Sequence, residues 1–169
     1  RHIEEIRKSR GATLAAIVDV SPRAAGIARE AGVPLHGSLA ELFAQSRPDG
    51  VIVATPHTHH VEQALECIAA NLPVLIEKPL ALSAAEAEEI TAAARAAGVL
   101  AAEAMSTRYL PQFDVLSQLF DRGDLGTIKL ATADVGWQMG ADAPPRFFDP
   151  AQGGGAEERH HDVAADARL

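Results

Sequence analysis

The stretch NLPVLIEKPLALS, residues 71–83, decides the predicted fold. Its apolar run VLI at 74–76 has no polar alternation, which is typical of a strand buried on both faces. Glu77 and Lys78 follow this run at once, and Pro79 restricts the backbone after them. A carboxylate and an ammonium therefore stand where a buried strand is predicted to end.

Apolar runs of the same kind lie on both sides of this stretch. Together with PVLIE at 73–77, they are TLAAIVDV at 13–20, GVIVATP at 50–56 and VLAAEA at 99–104. Segments with helical spacing or helix-capping residues separate them. Strands without polar alternation that are regularly separated by helices indicate an α/β fold with a doubly wound parallel sheet, covered by helices on both faces.

Capping residues mark the helices between these strands. Ser21 is a predicted N-cap, with Pro22 at the first helical position, where its missing N–H costs nothing. Ser83 and Glu86 fit a capping box. The predicted helices cover 2–9, 21–32, 38–46, the apolar spacing at 61–68, and 83–98, the second and the last of them ending at a glycine.

The pattern changes after Met105. A helix that ends at Gly123 is predicted for 110–126, and a long strand for 127–139 has the partial alternation of an antiparallel sheet. We therefore predict two domains, the first over 1–104 with the parallel sheet, and the second over 105–169 as the beginning of an α+β domain with a predominantly antiparallel sheet.

Composition limits the classes of function. The 169 residues contain 15 Lys and Arg against 23 Asp and Glu, a formal charge of −8 that argues against a nucleic-acid surface. Cys67 is the only cysteine, so no internal disulfide can form, which fits a reducing compartment. No apolar run reaches the roughly 20 residues of a membrane span, and the charged opening RHIEEIRKSR is not a signal peptide. We expect a soluble cytoplasmic protein.

Polar side chains stand at three of the predicted strand ends: Asp19, the group Thr55-Pro56-His57, and the pair Glu77-Lys78. Ligands of doubly wound sheets bind beyond the carboxyl ends of the strands. Asp19 can accept hydrogen bonds from an adenosine ribose, although it also fits a solvated turn. Lys78 can stabilise negative charge on a substrate oxygen, although it also fits a surface lysine paired with Glu77.

The segments ATPHTHHVEQAL and LIEKPLA together resemble the glucose–fructose oxidoreductase/inositol dehydrogenase/MocA (Gfo/Idh/MocA) family of NAD(P)-dependent dehydrogenases. The resemblance extends to AEAMSTRYLPQF, FDRGDLGTIKL and RFFDPAQGGG, and EAMSTRYLP is similar to the branch of dihydrodiol and xylose dehydrogenases. It implies a Rossmann-type first domain. The implied reaction is hydride transfer between the nicotinamide and a hydroxyl-bearing carbon of a sugar, cyclic polyol or dihydrodiol, and we expect a homo-oligomer at full length.

The resemblance also implies roles for individual residues. Lys78 would be catalytic, contacting both the nicotinamide ribose and the reacting hydroxyl, and the peptide before Pro79 would be cis. The implied cofactor-binding residues are Asp19, Thr55, Pro56, His57, His60, Glu77, Lys78 and Glu103.

Two features depart from the family pattern. The glycine-rich phosphate loop G-x-G-x-x-G is absent, so we expect this chain to bind dinucleotide poorly. After the glycines at 153–155, the acidic and His/Tyr positions of the family fall on Arg159 and Val163 in a gapless alignment. His161 lies nearby in another register and is the best local candidate for proton transfer.

The cofactor is predicted to be NAD or NADP, and Asp19 favours NAD because its carboxylate repels the 2′-phosphate of NADP. Arg23, four residues later, can soften that repulsion.

A metal site is one alternative, because HTHH at 57–60 and HHD at 160–162 are rich in possible zinc ligands. Neither has an established metal-binding spacing, and we predict no metal.

A non-catalytic scaffold or cofactor sensor that retains the fold is a second alternative. Trp137, Phe147 and Phe148 would then form an interaction face, although they also fit ordinary sheet packing.

Overall fold

The structure, a computed structural model, describes residues 2–132, 144 and 147–154. In this part of the chain, five short strands alternate with helices. The strands are β1 (Ile17–Val18), β2 (Leu35–His36), β3 (Val51–Val53), β4 (Val74–Ile76) and β5 (Ala101–Glu103). The helices are α1 (His2–Lys8), α2 (Ala24–Ala31), α3 (Leu39–Gln45), α4 (His60–Ala69), α5 (Ala84–Ala97) and α6 (Pro111–Asp121).

All described strand pairs are parallel, which confirms the predicted α/β class. β1 pairs with β2, and β4 lies between β3 and β5. Four of these strands lie inside the predicted runs but are shorter than predicted. β2 was not predicted, because its two residues lie between Pro34 and Gly37 and show no apolar run.

The core lies between the β3–β4–β5 sheet and the helices α4 and α5, which also pack against each other. Ile76 of β4, Ala64 and Cys67 of α4, and Ile90 of α5 are fully buried. Burial, with a smaller contribution from the charge of Glu66, raises the pKa of the Cys67 thiol to about 11. Because β4 lies between β3 and β5 and its Ile76 is fully buried, the apolar run at 74–76 is the central strand of the core, as its composition predicts.

Local signals set several helix ends. Ser83 Oγ accepts a hydrogen bond from the Glu86 N–H, while the Glu86 carboxylate accepts from the Leu82 N–H, one residue before the expected position. Gly98 ends α5 in the left-handed conformation (φ 66°). The predicted N-cap at Ser21 is wrong, because its hydroxyl accepts from the Arg23 N–H in a turn that precedes α2.

Beyond β5, the structure contains α6 but no strand over the described residues 127–132. The predicted strand is therefore wrong for its first six residues, and 133–139 lie outside the described residues. The domain boundary at 104/105 stays a prediction. Within the described part of the chain, no helix is long and apolar enough to cross a membrane.

Candidate functional site

The carboxyl ends of three parallel strands meet at one edge of the sheet. Val53, Ile76 and Glu103 are register partners across β3, β4 and β5. Residues that follow these positions, including Thr55 and Lys78, therefore emerge at the same edge, where ligands of doubly wound sheets bind.

The Lys78 side chain is exposed, and its ammonium has no hydrogen bond or ion pair with any described residue. Lys78 lines a pocket of about 200 Å³ together with Glu77, Ala104, Met105, Ser106 and Thr107. The peptide between Lys78 and Pro79 is cis, as the resemblance implied. The site thus presents a free ammonium beside a small pocket.

Glu77 is held by a residue of the first helix. His2 Nε2 lies 2.7 Å from Glu77 Oε1, and both side chains are about seven-tenths buried. The other carboxylate oxygen of Glu77 accepts the backbone N–H of Lys78 at 3.2 Å. The alternative in which Lys78 and Glu77 form an ion pair is therefore wrong for this structure.

His60 lies entirely inside the protein, with 0% of its surface exposed. Its Nδ1 is 2.9 Å from the Pro79 carbonyl oxygen and its Nε2 is 3.0 Å from that of Thr55. The Thr55 hydroxyl donates to Gln63 Oε1 at 2.8 Å. His60 therefore connects the segment after β3 with the turn after β4.

Glu103 connects β5 to the same turn, because its Oε1 accepts the Leu80 N–H at 2.9 Å. Glu103 also lines a wider groove of about 520 Å³. Arg108 lies in this groove with its guanidinium over the Phe113 ring, 5.4 Å from the centroid. The groove and the Lys78 pocket share Met105 and so lie side by side.

His57 contacts a segment that is distant in sequence. Its Nδ1 lies 3.2 Å from the Gln152 carbonyl oxygen, and its ring meets that of His60 edge-on at 5.5 Å between centroids. A Cβ at Gly153 would lie 2.7 Å from His57 Nδ1 and from Leu82 Cδ2, so only a glycine fits there without movement. Pro56 precedes this turn and accepts the His59 N–H.

Asp19 lies apart from this group, at the end of β1 in the two-stranded sheet. Its Oδ1 accepts the Ser21 N–H at 2.7 Å, and its side chain is exposed. Among the described residues, no hydrogen bond or ion pair joins the Asp19 side chain to the other predicted site residues. His161 lies outside the described residues.

Sequence reasoning missed several residues of the site. The roles of His2 and Gln63 could not be predicted from the sequence, because they contact Glu77 and Thr55 only after the helices pack on the sheet. Arg108 and its neighbours could have been found, since they lie in the quoted segment AEAMSTRYLPQF. In the described ranges, no group of three His, Cys, Asp or Glu side chains could hold a metal ion.

Comparison with known proteins identifies the family. The family model for Gfo/Idh/MocA, described as an oxidoreductase family with an NAD-binding Rossmann fold, matches residues 1–105. The chain belongs to this family. The resemblance drawn from the sequence is thereby confirmed, together with the Rossmann-type fold.

Several relatives of this family are dehydrogenases by name. The chain is 37% identical over 134 residues to a trans-1,2-dihydrobenzene-1,2-diol dehydrogenase of Oryctolagus cuniculus, and 34% identical over 134 residues to that of Mus musculus. Each alignment covers 79% of this chain and 40% of the relative. The chain thus spans about two fifths of the length of these curated relatives.

A solved structure supports the same assignment. The WlbA dehydrogenase from Bordetella pertussis, in complex with NADH and UDP-GlcNAcA, matches with a TM-score of 0.68 at 28% identity. The match covers 74% of this chain and 37% of that one.

The residues of this Gfo/Idh/MocA chain fit a nicotinamide dinucleotide at two places. Asp19 uses one carboxylate oxygen for the Ser21 N–H, and the other has no partner in the described part of the chain. A carboxylate oxygen at a strand end can accept a ribose hydroxyl. The Lys78 ammonium is likewise free to donate to an oxygen of the cofactor or substrate.

Proposed function

We propose that this chain is the cofactor-binding part of an NAD(P)-dependent dehydrogenase. The enzyme would transfer a hydride between the nicotinamide and a hydroxyl-bearing carbon of a sugar, cyclic polyol or dihydrodiol. The observation that carries the proposal is that Lys78, whose ammonium has no partner among the described residues, lines a pocket at the carboxyl edge of a parallel sheet.

Lys78 would act on the oxygen of the reacting carbon. As that carbon loses its hydride and becomes a carbonyl, the hydroxyl proton must leave and negative charge develops on the oxygen. A positioned ammonium stabilises this charge and is typically worth a factor of about 10²–10³ in rate. When bound, the dinucleotide supplies the hydride-accepting carbon, and the protein contributes orientation and electrostatics.

The relatives support the substrate class at the level of the functional group. The name of the curated relatives refers to a diol, and the WlbA complex contains a nucleotide sugar. The chemistry shared by these compounds is a ring carbon that bears a hydroxyl. Such carbons are what a free ammonium beside a nicotinamide can help to oxidise.

NAD is the proposed cofactor, on the charge at Asp19. Its exposed carboxylate would accept ribose hydroxyls and repel a 2′-phosphate. The family description, which specifies NAD binding, supports the same choice. We expect NADH to bind more tightly than NADPH, and replacing Asp19 by Asn to narrow that difference.

Thr55, Pro56 and His57 would line the pyrophosphate side, and Glu77 and Glu103 the nicotinamide side. His161 is proposed for proton transfer on its position near the glycines at 153–155 alone. A homo-oligomeric assembly of the full-length protein and a cytoplasmic location stay proposals as well, the latter supported by the single, buried Cys67.

Hydride transfer by the full-length protein tests the proposed function. We expect Lys78→Ala to lower kcat/KM for a diol or sugar substrate by about 10²-fold or more. Lys129→Ala is the matched control, because Lys129 is also an exposed lysine and lies outside the pocket. Equal activity of Lys78→Ala and the control would remove Lys78 from the mechanism. Dinucleotide binding without any turnover would favour the sensor alternative.

A further inference from the structure

The backbone on both sides of Lys78 is fixed by hydrogen bonds. Before it, the Glu77 N–H donates to the Val53 carbonyl at 2.9 Å, continuing the β3–β4 ladder. After it, the Leu80 N–H donates to Glu103 Oε1 at 2.9 Å. Pro79 lies between these two bonds and has no N–H of its own, so its carbonyl is its only backbone hydrogen-bonding group.

The partner of that carbonyl is His60 Nδ1, at 2.9 Å. Because 0% of the His60 surface is exposed, the ring cannot touch a cofactor or substrate. Its second nitrogen, Nε2, faces the Thr55 carbonyl at 3.0 Å. His60 therefore reaches the site at hydrogen-bond distance only through backbone carbonyls, one after β3 and one directly after Lys78, while its ring also meets the His57 ring edge-on.

We propose that His60 is a positioning residue. It holds the turn after β4, residues 77–80, in place through the Pro79 carbonyl. This inference rests on the proposed function for the use made of Lys78. The resemblance implied that His60 contacts the cofactor, whereas in this proposal it acts on the site indirectly through the Pro79 carbonyl. The ring lies between the segments that follow β3 and β4, and Glu103 connects the turn after β4 to β5.

The proton on His60 makes the proposal testable. Carbonyl oxygens only accept hydrogen bonds, so the bond to Pro79 requires a proton on Nδ1. A neutral imidazole carries one proton, and which nitrogen holds it is set by the hydrogen bonds around the ring. The proposed contact therefore excludes a ring protonated at Nε2 alone.

Nitrogen NMR of the histidine rings in the 169-residue chain measures this proton directly, without any ligand. The His60 signals are identified as those that disappear in His60→Asn. We expect a protonated Nδ1 in the unsubstituted chain. A ring that carries its proton on Nε2 alone would overturn the proposal.

Two variants separate the contacts of the ring. The amide nitrogen of Asn lies near the position of Nδ1, and that of Gln near the position of Nε2. His60→Asn therefore retains a donor for the Pro79 carbonyl, whereas His60→Gln retains one for Thr55. Hydrogen exchange at the Leu80 amide, the next residue, reports whether the turn stays closed.

We expect His60→Gln to accelerate exchange of the Leu80 amide about tenfold, the usual effect of losing one buried hydrogen bond, and His60→Asn to leave it within about twofold. The Val74 amide is the internal control, because it donates to Leu100 at the opposite end of the same strand. Unchanged Leu80 exchange in His60→Gln, or equal acceleration at Val74, would overturn the proposal. If neither variant folds, the His60 ring signals of the unsubstituted chain are identified through its assigned backbone resonances, and the Nδ1 proton then decides alone.

These measurements use no cofactor, so they are independent of the enzymatic activity. A protonated Nδ1 and selective loosening at Leu80 would support the role of His60 in holding the turn. Absence of hydride transfer in the full-length protein would overturn the proposed function, and equal activity of Lys78→Ala and its control would remove Lys78 from the mechanism. Neither result changes the role of His60 in holding the turn.

Discussion

His2 and Glu77 are 75 positions apart in sequence, yet the His2 ring nitrogen lies 2.7 Å from the Glu77 carboxylate. This contact attaches α1 to the end of β4, directly beside Lys78. It gives the Glu77 carboxylate a partner other than the Lys78 ammonium. A helix at the N-terminal end of the described residues therefore supplies the partner of the Glu77 carboxylate.

Removing this contact should cost little global stability. We expect His2→Ala to lower the free energy of unfolding by about 0.5–1 kcal/mol, because the pair is only partly buried and solvent screens it. Lys8→Ala is a control, since it removes the exposed pair with Glu5. We expect that change to stay below about 0.5 kcal/mol in urea unfolding. Equal effects of both variants would mean that the His2 contact is not formed in solution.

Gly153 tests the contact between His57 and the segment around Gln152. An alanine Cβ would lie 2.7 Å from His57 Nδ1 and would also strain the backbone, which has φ of 74°. We expect Gly153→Ala to displace the His57 ring and break its contact with the Gln152 carbonyl. The ring resonances of His57 in NMR spectra measure this change.

Gly123→Ala is the matched control, because Gly123 has φ of 72° and nothing within 4 Å of its added Cβ. Both variants should lose about 1 kcal/mol from backbone strain, and only Gly153→Ala should move the His57 resonances. Unchanged His57 resonances in Gly153→Ala would show that the segment is not in contact with the ring.

Cys67 makes stability fall at alkaline pH. Burial raises the pKa of its thiol from 9.0 to about 11, so between these values the unfolded chain loses the thiol proton while the folded chain retains it. Since the folded state then binds more protons, the free energy of unfolding falls as pH rises through this range. Cys67→Ala lacks this titration, and its stability should decline less steeply between pH 9 and 11. The free energy of unfolding is measured by urea unfolding at each pH. If it fell equally steeply in the two proteins, the raised pKa of the Cys67 thiol would be contradicted.

The predictions that held depend on residues close together in sequence. Ser83 and Glu86 are three positions apart, and an apolar run such as 74–76 identifies its own strand, because a strand buried on both faces needs no polar position. The family resemblance likewise came from contiguous segments around Thr55 and Lys78. The wrong N-cap at Ser21 shows the limit of such reasoning, since the same hydroxyl suits a turn and a helix start.

The sequence by itself determined the α/β class, the order of most strands and helices, and the presence of polar groups at the strand ends. Only the tertiary structure decided which of those groups pair, which are buried and which stay free. The contact of Glu77 with His2 and that of His60 with the Pro79 carbonyl join residues that are far apart in sequence. Such contacts form only when helices pack on the sheet, and the local pattern of residues does not predict which distant side chains that packing brings together.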